Sequence, residues 1–114
     1  MSKLENRTYD EIQVGDKAEV SHTVTERDLI LFAEVSGDIN PVHLDEDFAA
    51  ATPFKGRIAH GMFSGALISA AIACEMPGPG TIYIGQAMSF LRPAASCKLQ
   101  AASCKLQVSV RHQP

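Results

Sequence analysis

A chain of 114 residues, 46% hydrophobic and 20% charged, holds one domain's worth of sequence with enough apolar side chains for a core. Its net charge of −3, with no stripe of Lys or Arg, gives no expectation of a nucleic-acid partner. The polar start from Met1 to Arg7 lacks a signal-peptide core, and the longest apolar run, Ala66 to Cys74, is short, broken by Ser69, and not expected to enter a membrane.

Residues 17–24 alternate, with Ala18, Val20, His22 and Val24 on one face, which predicts a half-buried strand after the turn at Val14-Gly15-Asp16. Thr25 and Asp28 make a capping-box variant, Leu29, Phe32, Ala33 and Val35 have helical spacing, and Gly37 is placed as a left-handed stop. A helix is therefore expected over 26–36. Residues 37–60 read as an ordered connection with a short helical piece over Glu46 to Ala51. Ile39, Val42, Leu44, Phe48, Phe54 and Ile58 are expected to hold it down on a core.

Gly61 to Glu75 reads as a helix that is apolar nearly all round and so expected to be enclosed on every face. Pro77-Gly78-Pro79-Gly80 ends it. Thr81 to Leu91 alternates Ile82, Ile84, Gln86, Met88 and Phe90, which predicts a strand, with Gly85 as a bulge or close approach. Ala94 to Gln100 then repeats residue for residue as Ala101 to Gln107, two copies being too few for a coiled coil, and one further strand is expected near Cys104 to Val110. The odd count of cysteines, Cys74, Cys97 and Cys104, predicts reduced thiols in a cytoplasm. No CxxC or HxxxH spacing occurs, so no metal is expected.

Chemistry concentrates in Ser36-Gly37-Asp38-Ile39-Asn40-Pro41-Val42-His43-Leu44-Asp45. Pro41 fixes its own φ and turns Asn40 away from helix, so the chain bends between Asp38 and His43. Such a bend can aim a carboxylate and an imidazole at one water, as a general acid–base pair. The same residues also suit a plain helix cap and Asn-Pro turn with His43 packed in the core. A second segment, Phe54 to Met62, enters the N-terminus of the apolar helix at Gly61. Free amides there would suit an oxyanion, and a tightly packed glycine is the equal alternative.

Together, Gly37-Asp38-Ile39-Asn40-Pro41-Val42-His43-Leu44-Asp45 and Ile58-Ala59-His60-Gly61-Met62 resemble the signature of the MaoC-like (R)-specific enoyl-CoA hydratases, or hydratase 2. Thr81 to Gln86 with Ser89-Phe90 and Arg92-Pro93 extends the likeness, which covers roughly residues 8 to 93. The resemblance implies a single α+β domain over 1–114 with the hot-dog fold, an antiparallel sheet wrapped around one long central helix. The sheet is expected to lack its C-terminal strands beyond about residue 94.

The implied activity is hydration of trans-2-enoyl-CoA to (R)-3-hydroxyacyl-CoA in fatty acid metabolism, with no cofactor and no metal. Asp38 and His43 would hold and activate the water, Asp38 as base and His43 as acid, in a coupled pair that can share the roles. The Gly61 amide would steady the enolate, and Asn40 and Ser69 would lie against substrate. His60 would orient the turn, while Lys55, Arg57 and Arg92 offer charge to CoA phosphates. The expected partners are the acyl-CoA substrate and a second copy in a homodimer. A non-catalytic acyl-thioester-binding or assembly module, and a dehydratase acting on acyl-carrier-protein thioesters, are the alternatives.

Overall fold

Strand β1 (Lys17–Val24) forms where the sequence alternates, and Ala18, Val20, His22 and Val24 are its more buried set. It pairs with β2 (Cys104–Arg111) in a two-stranded sheet. This computed structural model describes residues 4–91 and the backbone of 104–111, so most of the 94–107 repeat lies outside the described residues. The chain divides into two units, one taking Met1–Ser21, Ser64–Ala87 and Gln107–Pro114, the other His22–Phe63 and Met88–Leu106.

In the second unit, helix α1 (Glu26–Ser36) starts on the expected capping box: Thr25 accepts from the Asp28 amide, and Asp28 accepts from the Thr25 amide. It stops at Gly37, which is left-handed at φ 79° and donates to the Ala33 carbonyl over 2.9 Å. Leu29 and Ala33 are its buried residues, whereas Val35, one step off their stripe, is exposed. Two short helices follow, α2 (Pro41–Leu44) and α3 (Glu46–Ala50), capped by the side chains of Asn40 and Asp45. Pro41 takes the first helical position, where its missing N–H costs nothing.

Apolar anchoring does not account for all of the order in 37–60. Ile39 is 72% exposed, and Phe48 and Phe54 are exposed too. Hydrogen bonds replace the expected anchors: Asp38, Asn40 and Asp45 each accept from a backbone amide two or three residues on. Arg57 adds ion pairs to Glu26 at 3.2 Å and Glu46 at 3.0 Å.

Helix α4 (Gly61–Ala70) occupies the expected apolar segment, but its last turn widens into a π-helix over Ala71–Glu75, closed by Met76 donating to the Ala71 carbonyl over 3.0 Å. The all-round enclosure expected of this segment is not found: Phe63, Gly65, Leu67 and Ala71 are buried, while Met62, Ala66, Ser69, Ala73 and Cys74 are exposed. Apolar composition requires cover but does not supply it. Nor is 81–91 a strand. It lacks ladder pairing in the described structure, and Ile84 is 96% exposed. The alternation is present in the sequence, but a strand needs a partner as well as a pattern.

In the first unit, residues 5–7 run against the turn that follows the π-helix. The Arg7 amide donates to the Pro77 carbonyl over 2.7 Å, and the Asn6 side-chain amide donates to the Pro79 carbonyl. Gly78, at φ 91°, donates to the Ile72 carbonyl, and a Cβ there would collide with the Glu5 carbonyl oxygen. Among the described residues no helix is long and apolar enough to cross a membrane.

Candidate active site

The site is built from the end of α1. Ser36 donates its hydroxyl to the Phe32 carbonyl and accepts the Asp38 amide at 3.1 Å, which starts the turn. Asp38 Oδ1 then accepts the Asn40 amide at 3.2 Å, and Asn40 Oδ1 accepts the Val42 amide at 3.1 Å. Two consecutive Asx-type bonds and Pro41 thus shape the bend. Oδ2 of Asp38 faces His43 Nε2 at 3.8 Å. That separation is beyond a direct hydrogen bond.

The two partners differ in solvation. The Asp38 side chain is 50% exposed, whereas His43 is 7% exposed. His43 Nδ1 donates to the Ile58 carbonyl over 2.8 Å, and Ile58 returns a backbone bond to the Val42 carbonyl. With Nδ1 committed to that carbonyl, Nε2 is the nitrogen that faces Asp38. His60 is 2% exposed, and its Nε2 donates to the Asp38 carbonyl over 3.0 Å. Its ring stacks on His43 with centroids 3.8 Å apart and also packs on Phe32 at 4.8 Å. His60 Nδ1 is buried without a hydrogen-bond partner among the described residues.

The other expected residues are distributed as follows. Gly61, next after His60, opens α4, and the ring of Phe90 lies 3.1 Å from where a Cβ would stand. Asn40 caps α2, so its carbonyl oxygen is spent on the loop. Ser69 is exposed on α4 in the other unit. Arg57 is only 10% exposed and tied to two glutamates, so it is a structural tether; Arg92 lies outside the described residues.

Sequence reasoning missed how closely His60 joins the pair. Asp38, His43 and His60 each place one ligating atom within 4.8 Å of the others, a donor set able to hold a divalent ion, which no short-range spacing suggested. Both rings, however, already give an N–H to a backbone carbonyl. A signal was available in the sequence: His60 immediately precedes the glycine that opens the apolar helix.

A second His–Asp contact lies away from this pair. His22 Nε2 meets Asp28 Oδ2 at 2.9 Å. Burial alone would push the Asp28 carboxyl up, but hydrogen bonds from the Thr25 amide, His22 and the Thr25 hydroxyl, with the His22 charge, outweigh it and hold Asp28 below its ordinary value.

Residues 9–95 match the MaoC like domain. The (R)-specific enoyl-CoA hydratase of Rhodospirillum rubrum is 46% identical over 85 residues, 75% of this chain and 59% of that protein. The 3-hydroxybutyryl-CoA dehydratase of Methylorubrum extorquens is 44% identical over 85 residues, 75% of this chain and 54% of its own length. Among solved structures, the unliganded R-hydratase PhaJ1 from Pseudomonas aeruginosa superimposes with a TM-score of 0.86 at 57% identity, covering 96% of this chain and 66% of that one. The chain therefore spans between a half and two thirds of the length of these relatives.

Proposed function

The chain belongs to the MaoC-like domain family, with its hot-dog fold, and from that premise we propose that Asp38 and His43 add water across the double bond of a trans-2-enoyl-CoA. The observation that carries the proposal is the 3.8 Å approach of Asp38 Oδ2 to His43 Nε2, with Nδ1 committed to the Ile58 carbonyl. The commitment fixes which nitrogen exchanges a proton. His43 gives one up from Nε2 when it starts as imidazolium, and Asp38 takes one when it starts ionised.

In this reading Asp38 removes a proton from the water as its oxygen bonds C3. His43 delivers a proton to C2, giving the (R)-3-hydroxyacyl thioester. The proton then returns from Asp38 to His43 across the short gap. Charge develops on the thioester oxygen, and the Gly61 amide at the start of α4 is the donor assigned to it. Asn40 is assigned to substrate contact, and the 114 residues act as one domain, without metal or cofactor, as a cytoplasmic homodimer. The reverse reaction uses the same groups, and the likeness to a 3-hydroxybutyryl-CoA dehydratase favours a short-chain CoA thioester.

Loss of enoyl-thioester absorbance on adding protein to crotonyl-CoA tests the reading directly. Asp38→Asn and His43→Gln are each expected to lower kcat by at least about 10²-fold. Wild-type turnover in either variant removes that residue from the mechanism. Wild-type protein that binds crotonyl-CoA without converting it sinks the hydratase reading in favour of an acyl-thioester-binding module.

A further inference from the structure

We propose that His60 is the positioning residue of the Asp38–His43 pair, setting the separation between carboxylate and imidazole from underneath. This rests on the hydratase reading for its kinetic consequences, but its geometry stands without it.

Three observations meet at one ring. His60 is 2% exposed and donates from Nε2 to the Asp38 carbonyl over 3.0 Å. The same ring stacks on His43 at 3.8 Å with the planes inclined by 26°. Its other nitrogen, Nδ1, is buried without a partner among the described residues. An orphaned buried acceptor is a cost that a phenyl ring of similar shape would not carry. Packing alone therefore does not favour histidine here, whereas the single N–H on Nε2 does.

What that N–H holds is the backbone of Asp38, whose side chain is half exposed and makes one backbone bond through Oδ1. Fixing the Asp38 carbonyl fixes where its carboxylate can swing, and the stacked face fixes the plane of His43. One buried ring thus contacts both halves of the pair and nothing in its own chemistry needs to react. Its chain neighbour is Gly61, so the same anchor also sets where the first amide of α4 lies.

Two substitutions separate the contacts. His60→Phe keeps a flat ring and removes the N–H, while His60→Gln keeps a donor at the same reach and removes the ring. In His60→Phe, kcat on crotonyl-CoA is expected to fall about ten- to a hundredfold with KM nearly unchanged, and the pH profile of kcat to move. His60→Gln is expected to recover part of the loss. Wild-type kcat and pH profile in His60→Phe would overturn the proposal.

Carbon-13 NMR of the Asp38 carboxyl gives a readout that needs no turnover. Its chemical shift and titration are expected to differ between wild type and His60→Phe, although His60 does not bond to that side chain; identical curves would overturn the proposal. Should His60→Phe fail to fold, nitrogen-15 NMR of the wild-type imidazoles decides. The proton must sit on Nε2 of His60 and on Nδ1 of His43, and the opposite tautomer at His60 is fatal. An inert wild type whose carboxyl signal still responds to His60 would sink the hydratase reading and leave the positioning role standing.

Discussion

Asp28 holds two contacts at once, one closing the N-terminus of α1 and one reaching His22, and both favour its ionised form. Because its pKa in the folded protein lies below the unfolded value, the stabilisation is fully present above that unfolded value, about 3.8. It is lost as pH falls through the lower folded value. Asp28→Ala is expected to cost about 1 kcal/mol in denaturant unfolding at neutral pH, as a lost cap does. The gap to wild type should narrow as pH falls through the carboxyl's lowered range; a gap that stays constant into acid would show that the carboxylate charge is not what matters. The Thr25–Asp28 box was legible because both partners are local. The His22 contact was not, since alternation in β1 shows which face His22 lies on but not what it meets there.

At the scale of elements, local chemistry again divides what could be read from what could not. The limits of α1, Glu26 to Ser36, follow from a box and a glycine and were readable in advance. So was the bend from Asp38 to His43, which Pro41 and two Asx-type bonds dictate. Stacking of His43 on His60, seventeen positions on in sequence, depends on the path of the connection and left no periodic trace. The segment 81–91 went the other way, its alternation promising a ladder that the described structure does not contain. The turn after α4 carries a backbone demand of its own at Gly78, where φ is 91° and a side chain would press on the Glu5 carbonyl. Gly78→Ala is expected to lose about 1–3 kcal/mol, read as a lower denaturation midpoint. An unchanged midpoint would mean that residues 5–7 do not pack on this turn in solution.

For the whole molecule, sequence likeness and structural likeness converge on the same family, yet the chain spans only 59% of the R. rubrum hydratase. Helix α4 is apolar nearly all round but only partly covered. Met62, exposed on α4, and Ile82, Ile84 and Leu91 on the unladdered segment are apolar surface in search of a neighbour. A second copy of the chain is the neighbour proposed here, and light scattering at micromolar concentration is expected to give the mass of two chains. A mass of one chain across the same range would refute it.

The tether at Arg57 has a bearing on catalysis that its position does not advertise. Its guanidinium joins Glu26 in the first turn of α1 to Glu46 in the first turn of α3, and only two residues separate it from His60. The guanidinium is 10% exposed, but Glu26 is 65% and Glu46 36% exposed, so salt should loosen the Glu26 arm before the Glu46 arm. The buried imidazole downstream keeps its foothold on α3 for as long as that better shielded arm holds.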